Sequence, residues 1–342
     1  MAPKTTTPTT DTPSLRALVH LTVAFFLMGL VRKLRGPRRS HWTYAYEVSV
    51  TTARWDFNHR TRLPLDKARR YVHRLSQPTS ALLYVQRGPC PQIPNALRTA
   101  PSPQPDNPQH PLHILYIPGD DLVGSPHTHA DLIARLCQQT QAPVTALDLN
   151  PQDPLPQRLQ TTTAALHTLM DTAPQTPVAL VGDGSGGLLA ICAALQSPRT
   201  NPRPPVALGL ISPWTDLRPT SALRSQRSDA DWQPLKGRRK AAKAFAANAD
   251  PNAPVHCPAI ADLSGLPPMM IQVGDEEALK ADVDAFEARA KEAGVAVERE
   301  AWEEMCHGFA RFSDATSEGE LAIEALADFL QRMAAPKVPD SM

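Results

Sequence analysis

Ser185, His307 and the adjacent carboxylates Asp275 and Glu276 are residue types that transfer acyl groups when a fold brings them together. A serine hydroxyl attacks a carbonyl, an imidazole takes its proton, a carboxylate orients the imidazole, and backbone N–H groups hold the oxyanion. The spacing around Ser185 decides whether it can attack. Residues 178–190, VALVGDGSGGLLA, read as an apolar strand, a glycine-rich turn and the start of an apolar helix, the layout that raises a nucleophile on a sharp corner. In the pattern G-x-S-x-G the serine stands midway between two glycines. Here Gly182-Asp183-Gly184-Ser185-Gly186 puts Gly184 midway and Ser185 one place late.

One residue of displacement moves a Cα by ~3.8 Å and redirects its side chain, far more than a productive site tolerates. A register read as Asp183-Gly184-Ser185-Gly186-Gly187 returns Ser185 to the centre, but it sets Asp183 where a close-packed glycine belongs. Asp120, Asp121, Asp183, Glu276 and His307 also suggest a carboxylate–histidine metal site. No paired spacing such as H-x-x-H supports one, so neither a metal nor a cofactor is expected.

The elements that must position these residues follow from periodicity. From residue 112, LHILYIP, APVTALDL, PVALVGD, PVALGLISPW, PPMMIQVG and VAVEREAW read as strands. Between them, THADLIARLCQQT, LPQRLQTTTAALHTLM, GGLLAICAAL and the segment bearing Leu279, Val283, Phe286 and Ala290 have helical spacing. Ile323, Leu326, Leu330 and Met333 mark a closing helix. Strict alternation means parallel strands joined by helical crossovers, hence an α/β fold with a mostly parallel sheet covered by helices on both faces. SALLYVQ at 80–86 is a candidate antiparallel opening strand. Residues 40–75, with Trp42, Tyr44, Tyr46, Trp55 and Phe57, and residues 218–265, with the basic stretch LKGRRKAAKAF, read as helical cap segments over a domain spanning 40–342.

A formal net charge of +1 and the lack of a basic stripe with interleaved aromatics exclude nucleic acid as a partner. The five cysteines are odd in number and sit mostly in apolar periodic segments, so neither a disulfide framework nor a zinc site is expected. Residues 1–14 form a Thr/Pro tail, and TAPSPQPDNPQHP at 99–111 reads as a long surface loop. Residues 15–39 hold the apolar stretch Ala17–Val31 followed by RKLRGPRR. That stretch falls short of the ~18 to 20 apolar residues of a comfortable span. It suits an interfacial helix or membrane anchor, or a helix lying on the main domain. The basic flank leaves the domain facing the cytosol if membrane-associated, and the other expectation is a cytoplasmic protein.

Five segments, in order and each at a strand end, carry a resemblance: ILYIPGDDLVGSPHTH, VGDGSGG, LISPWTDL, DLSGLPPMMIQVGDEEAL and WEEMCHGF. They resemble the hormone-sensitive-lipase-like branch of the α/β-hydrolase-fold esterases and lipases, which includes arylacetamide deacetylase relatives, over about residues 80–335. The resemblance implies the α/β-hydrolase fold with a helical cap, and it places His307 at the family's histidine and Glu276 at its acid. It puts Gly184 at the nucleophile position and Ser185 where the family has alanine. Its H-G-G-G oxyanion segment corresponds to the stretch containing Gly119, Asp120 and Asp121. Aspartates there resist the positive φ that glycine takes freely and bring negative charge to the place where it must develop.

Two readings follow. In the favoured one, the chain keeps the fold and an apolar pocket between cap and strand ends, has lost or strongly reduced hydrolase activity, and binds a hydrophobic small-molecule ester or ligand. In the other it is a carboxylic-ester hydrolase in which Ser185 attacks, His307 moves the proton, Glu276 orients His307, and the N–H groups of Gly119 and Gly186 hold the oxyanion.

Overall fold

Strands that are apolar on both faces need cover on both faces, and His113–Ile117, Val178–Asp183 and Ala207–Ile211 are such runs. In the computed structural model they lie side by side at the centre of an eight-stranded sheet. The structure describes residue 26 and residues 29–37, 39–40, 42–60 (backbone alone for 55–60), 85–101, 112–119, 124–197, 204–222 and 231–335. The strands are β1 (Val85–Pro89), β2 (Ala96–Pro101), β3 (His113–Ile117), β4 (Val144–Leu147), β5 (Val178–Asp183), β6 (Ala207–Ile211), β7 (Met269–Gly274) and β8 (Val297–Trp302). Their spatial order is β1-β2-β4-β3-β5-β6-β7-β8. The first two pairings are antiparallel and the rest parallel.

The helices are α1 (Tyr44–Arg60), α2 (Ala130–Thr140), α3 (Leu155–Thr172), α4 (Gly184–Gln196), α5 (Leu235–Phe245), α6 (Lys280–Glu292) and α7 (Ser317–Ala334). Successive strand residues point to opposite sides, so the sheet divides two cores. Leu115, Ile117 and Leu180 join the core against α3, α4 and α6, while Ile114, Tyr116, Ala179 and Val181 join the one against α2 and α7. Trp42 and Tyr46 also pack in the second core. Helix α4 is apolar nearly all round, and Leu188 through Ala193 are buried. Such a helix needs packing on every side, which fixes its start against the end of β5.

Several expectations are revised. Ala96–Pro101 is a strand, so residues 99–101 of the expected surface loop belong to the sheet, while residues 102–111 lie outside the described ones. The opening antiparallel strand starts at Val85, and the first part of SALLYVQ is likewise outside. Both expected cap segments contain a helix, α1 and α5. All five cysteines are buried free thiols.

Of the apolar stretch Ala17–Val31, residue 26 and residues 29–31 are described and helical, as are residues 32–35 of the basic flank. Phe26, Leu30, Val31 and Leu34 are exposed. Two arginines of the basic flank fold back onto the domain: Arg32 donates to Glu47 and to the Trp42 carbonyl, each at 2.8 Å, and Arg39 pairs with Glu276. Among the described residues no helix is long and apolar enough to cross a membrane.

Candidate active site

The site is built at the carboxyl ends of β5, β6, β7 and β8, where sheets of this kind present ligand-binding groups. At the β5–α4 corner, Asp183 is extended (φ −113°, ψ 147°) and Gly184 turns the chain with φ +50°. That left-handed conformation is one glycine enters freely and most residues resist. The corner packs tightly. A Cβ on Gly186 would lie 1.9 Å from the Ile117 carbonyl oxygen, so only a bare backbone lets α4 come this close to β3. The Trp214 amide donates to the Gly184 carbonyl at 2.9 Å, tying the corner to the loop after β6.

His307, in the loop after β8, is buried, and its ring faces this corner. A Cβ placed on Gly184 would stand 3.5 Å from His307 Nε2 and 3.9 Å from Trp214 Nε1. The other ring nitrogen, Nδ1, lies 2.9 Å from Glu277 Oε2. Four further contacts fix the histidine segment. His307 N donates to Asp231 Oδ1 at 3.2 Å, and Trp232 Nε1 donates to the His307 carbonyl at 2.7 Å. Gly308 N donates to Ser212 Oγ at 2.9 Å, and Asp231 Oδ2 accepts from Ala278 N at 3.2 Å. Asp231 thereby joins the acid segment to the histidine segment, a role no motif in the sequence announced.

The acid is a correction. Glu276, the sequence candidate, turns toward Arg39, whose Nε and Nη2 each donate to it at 3.2 Å. Its neighbour Glu277 carries the His307 contact and is buried. Burial pushes the Glu277 carboxyl above the ordinary glutamate range, and the His307 ring opposes that only in part. Asp275 instead accepts from Glu304 N at 2.7 Å, bracing the turn.

Ser185 is the second residue of α4 and is buried, and among the described residues its side chain makes no hydrogen bond to His307. Gly184, not Ser185, stands opposite the imidazole. The oxyanion assignment is also revised, because the Gly119 amide already donates to Asp183 Oδ1 at 3.1 Å. Gly186 stays close to it, with its nitrogen 3.1 Å from where a Gly119 Cβ would be. Asp120 and Asp121 lie outside the described residues.

Asp183 points away from the corner into a buried cluster. Tyr116 Oη donates to Oδ1 at 2.8 Å and His129 Nε2 lies 3.1 Å from Oδ2. Burial opposes ionisation of Asp183, yet His129, Arg311 and Tyr116 together hold its carboxyl below the usual aspartate range. This cluster clamps the end of β3, the start of α2 and the end of β5, so Asp183 is structural here. Among the described residues no group of three or more His, Cys, Asp or Glu is placed to hold a metal ion.

Two clefts formed by described residues lie elsewhere. One of about 580 Å³ sits at the amino ends of β5, β6 and β7, lined by Met170, Val178, Val206, Leu266 and several prolines. The other, about 440 Å³, lies beside α3 near His167 and His256. Of the expected cap segments 40–75 and 218–265, residues 41, 61–75 and 223–230 lie outside the described residues.

Comparison with known proteins agrees with this fold. Residues 119–311 match the family described as alpha/beta hydrolase fold. The chain is 37% identical over 224 residues to an acetyl-hydrolase of Streptomyces hygroscopicus, covering 64% of this chain and 75% of that protein. It is 28% identical over 216 residues to an esterase of Acinetobacter venetianus, covering 62% and 71%. Among solved structures, an esterase from the bacterial hormone-sensitive lipase family superposes with a TM-score of 0.73 at 27% identity, covering 84% of this chain and 98% of that one. A hormone-sensitive lipase from a metagenome library gives 0.72 at 28% identity, covering 82% and 97%.

Proposed function

This chain belongs to the α/β-hydrolase-fold family, among the hormone-sensitive-lipase-like esterases and lipases, and we propose that it binds a hydrophobic small molecule without turning it over through an acyl-serine. One observation carries this reading. The residue that turns the corner at φ +50° and faces His307 Nε2 is Gly184, which has no side chain to attack with. A retained His307–Glu277 pair cannot replace the missing nucleophile, because an acyl-enzyme requires an atom that forms the covalent bond. The Gly119 amide, engaged by Asp183, adds to the case, since losing one oxyanion donor typically costs ~10²-fold or more in rate.

The test is labelling of the purified full chain with a fluorophosphonate, which reports an activated serine whatever the natural substrate. No labelling of the folded protein is the expected result. Stoichiometric labelling that disappears in both Ser185→Ala and His307→Ala overturns the proposal and restores Ser185 as the nucleophile.

A second feature bears on where the protein works. The exposed Phe26, together with Leu30, Val31 and Leu34 of the helical residues 29–35, supports contact with a membrane surface. Flotation of the full chain with phosphatidylcholine vesicles, compared with Leu30→Ser/Leu34→Ser, tests this. Equal recovery of both in the vesicle fraction would remove the segment from that role.

A further inference from the structure

The indole of Trp214 is buried at 2% exposure, and its Nε1–H has no hydrogen-bond partner among the described residues. The other described indoles are satisfied: Trp42 donates to the Glu304 carbonyl at 2.8 Å, Trp232 to the His307 carbonyl at 2.7 Å, and Trp302 to Glu300 Oε2 at 3.3 Å. A buried donor left without a partner loses its hydration and gains nothing in return, so an orphan held rigidly in place asks for an explanation. Trp214 is held. Its ring meets Phe245 edge-on at 5.5 Å, and its backbone amide is bonded to the Gly184 carbonyl.

The orphan nitrogen lies near the same point as His307 Nε2. A carbon at the Cβ position of Gly184 would be 3.5 Å from Nε2 and 3.9 Å from Trp214 Nε1, both ordinary contacts, so among the described residues the position admits an atom without steric conflict. The chemistry of the two nitrogens narrows what that atom is. An indole N–H only donates. An imidazole whose Nδ1–H donates to a carboxylate presents Nε2 as an acceptor. A group between them must therefore accept one hydrogen bond and donate another. A hydroxyl does both, whereas an ether or ester oxygen has no proton for Nε2 and an ammonium has no lone pair for the indole.

We propose that the Gly184 corner is a subsite for one hydroxyl oxygen, which accepts from Trp214 Nε1–H and donates to His307 Nε2, and that the protein's ligand is an alcohol anchored there by its hydroxyl. The absent side chain of residue 184 is what makes room for it. This deepens the binding reading above and rests on it, naming the group by which the apolar ligand is oriented.

The experiment is a titration of the full chain, with ¹⁵N-labelled tryptophan side chains, by 1-hexanol and by its methyl ether at pH 8. The Trp214 indole resonance is assigned by its loss in Trp214→Phe. The expected result is a saturable shift of that resonance with hexanol, at least about tenfold tighter than with the ether, since a site built to bond a hydroxyl rejects analogues lacking it. A water molecule as the resident hydroxyl would instead give a persistent water-to-indole NOE that neither compound displaces, overturning the alcohol ligand. Equal affinity for alcohol and ether overturns the subsite itself. Gly184→Ala, whose methyl fills the position, is expected to weaken hexanol at least about tenfold. If that variant does not fold, Trp214→Phe serves, with ligand followed by its own NMR signals and the alcohol preference expected to vanish. Fluorophosphonate labelling with the alcohol preference intact would remove the non-hydrolytic reading alone. No labelling together with no preference would remove the subsite alone.

Discussion

His307 Nε2 lies 3.5 Å from the point where a Cβ carried by Gly184 would stand, the place from which a serine hydroxyl would reach the imidazole. The corner, the histidine and its carboxylate are thus assembled around a position with no side chain. Gly184→Ser is expected to create a Ser–His–Glu triad. Fluorophosphonate labelling should appear, and hydrolysis of p-nitrophenyl acetate should rise by about 10²-fold or more over the wild type. The new side chain must adopt φ near +50°, so the variant should lose about 1–2 kcal/mol of stability, read by urea unfolding. A folded variant that stays unlabelled would show that the oxyanion side of the site is also disabled.

The assignment of the acid can be tested in that background. Glu277→Gln added to Gly184→Ser should cut kcat by about 10²- to 10⁴-fold, because an imidazole without its carboxylate is neither oriented nor stabilised when charged. Glu276→Gln should leave kcat within about twofold and cost less than about 1 kcal/mol, since its pair with Arg39 is partly exposed. The reverse ranking would return the role to Glu276.

Asp183 and His129 form a buried pair whose loss should be felt by the whole fold. His129→Ala leaves a buried carboxylate short of a partner and should cost about 3–5 kcal/mol in urea unfolding. The sign of the pH dependence follows from the lowered carboxyl of Asp183. A depressed carboxylate contributes stability above its unfolded value, about 3.9, and loses it as pH falls through the folded value. The wild type should therefore weaken below about pH 4 more steeply than Asp183→Asn. Parallel acid limbs for the two proteins would contradict it.

Glu277 predicts the opposite slope. Its carboxyl is raised by burial, so its contribution is present in full below the unfolded value of about 4.3 and is lost as pH rises through the folded value. Glu277→Gln, which cannot ionise, should show a flatter stability profile than the wild type from about pH 4 upward. Identical slopes in urea unfolding across that range would mean that the glutamate is ionised without penalty.

Much of this molecule was legible before any coordinates. The central strands β3, β5 and β6 and helices α2 to α4 read directly from apolar runs and helical spacing, because a sheet covered on both faces leaves no polar face to blur the pattern. Strand β2 was not legible. Ala96–Pro101 carries Arg98 and Thr99 beside a proline-rich run, and an antiparallel strand toward the sheet edge needs no continuous apolar stretch. The slip at Gly184 and Ser185 was visible as a letter-by-letter departure from an elbow motif.

By itself the sequence determined which residue types reach the carboxyl ends of the strands and that a glycine occupies the middle of the elbow, since both follow from periodicity and order along the chain. The tertiary structure alone decided which of two adjacent glutamates serves His307. Successive residues in the turn after β7 point in different directions, and Arg39, 237 positions earlier, draws one of them outward. It also decided that Asp231 joins the acid segment to the histidine segment and that the Trp214 N–H, beside Gly184, has no partner among the described residues. Such relationships join residues far apart in the chain. Their geometry is set by how helices and loops pack on the sheet, and no local pattern in the sequence encodes it.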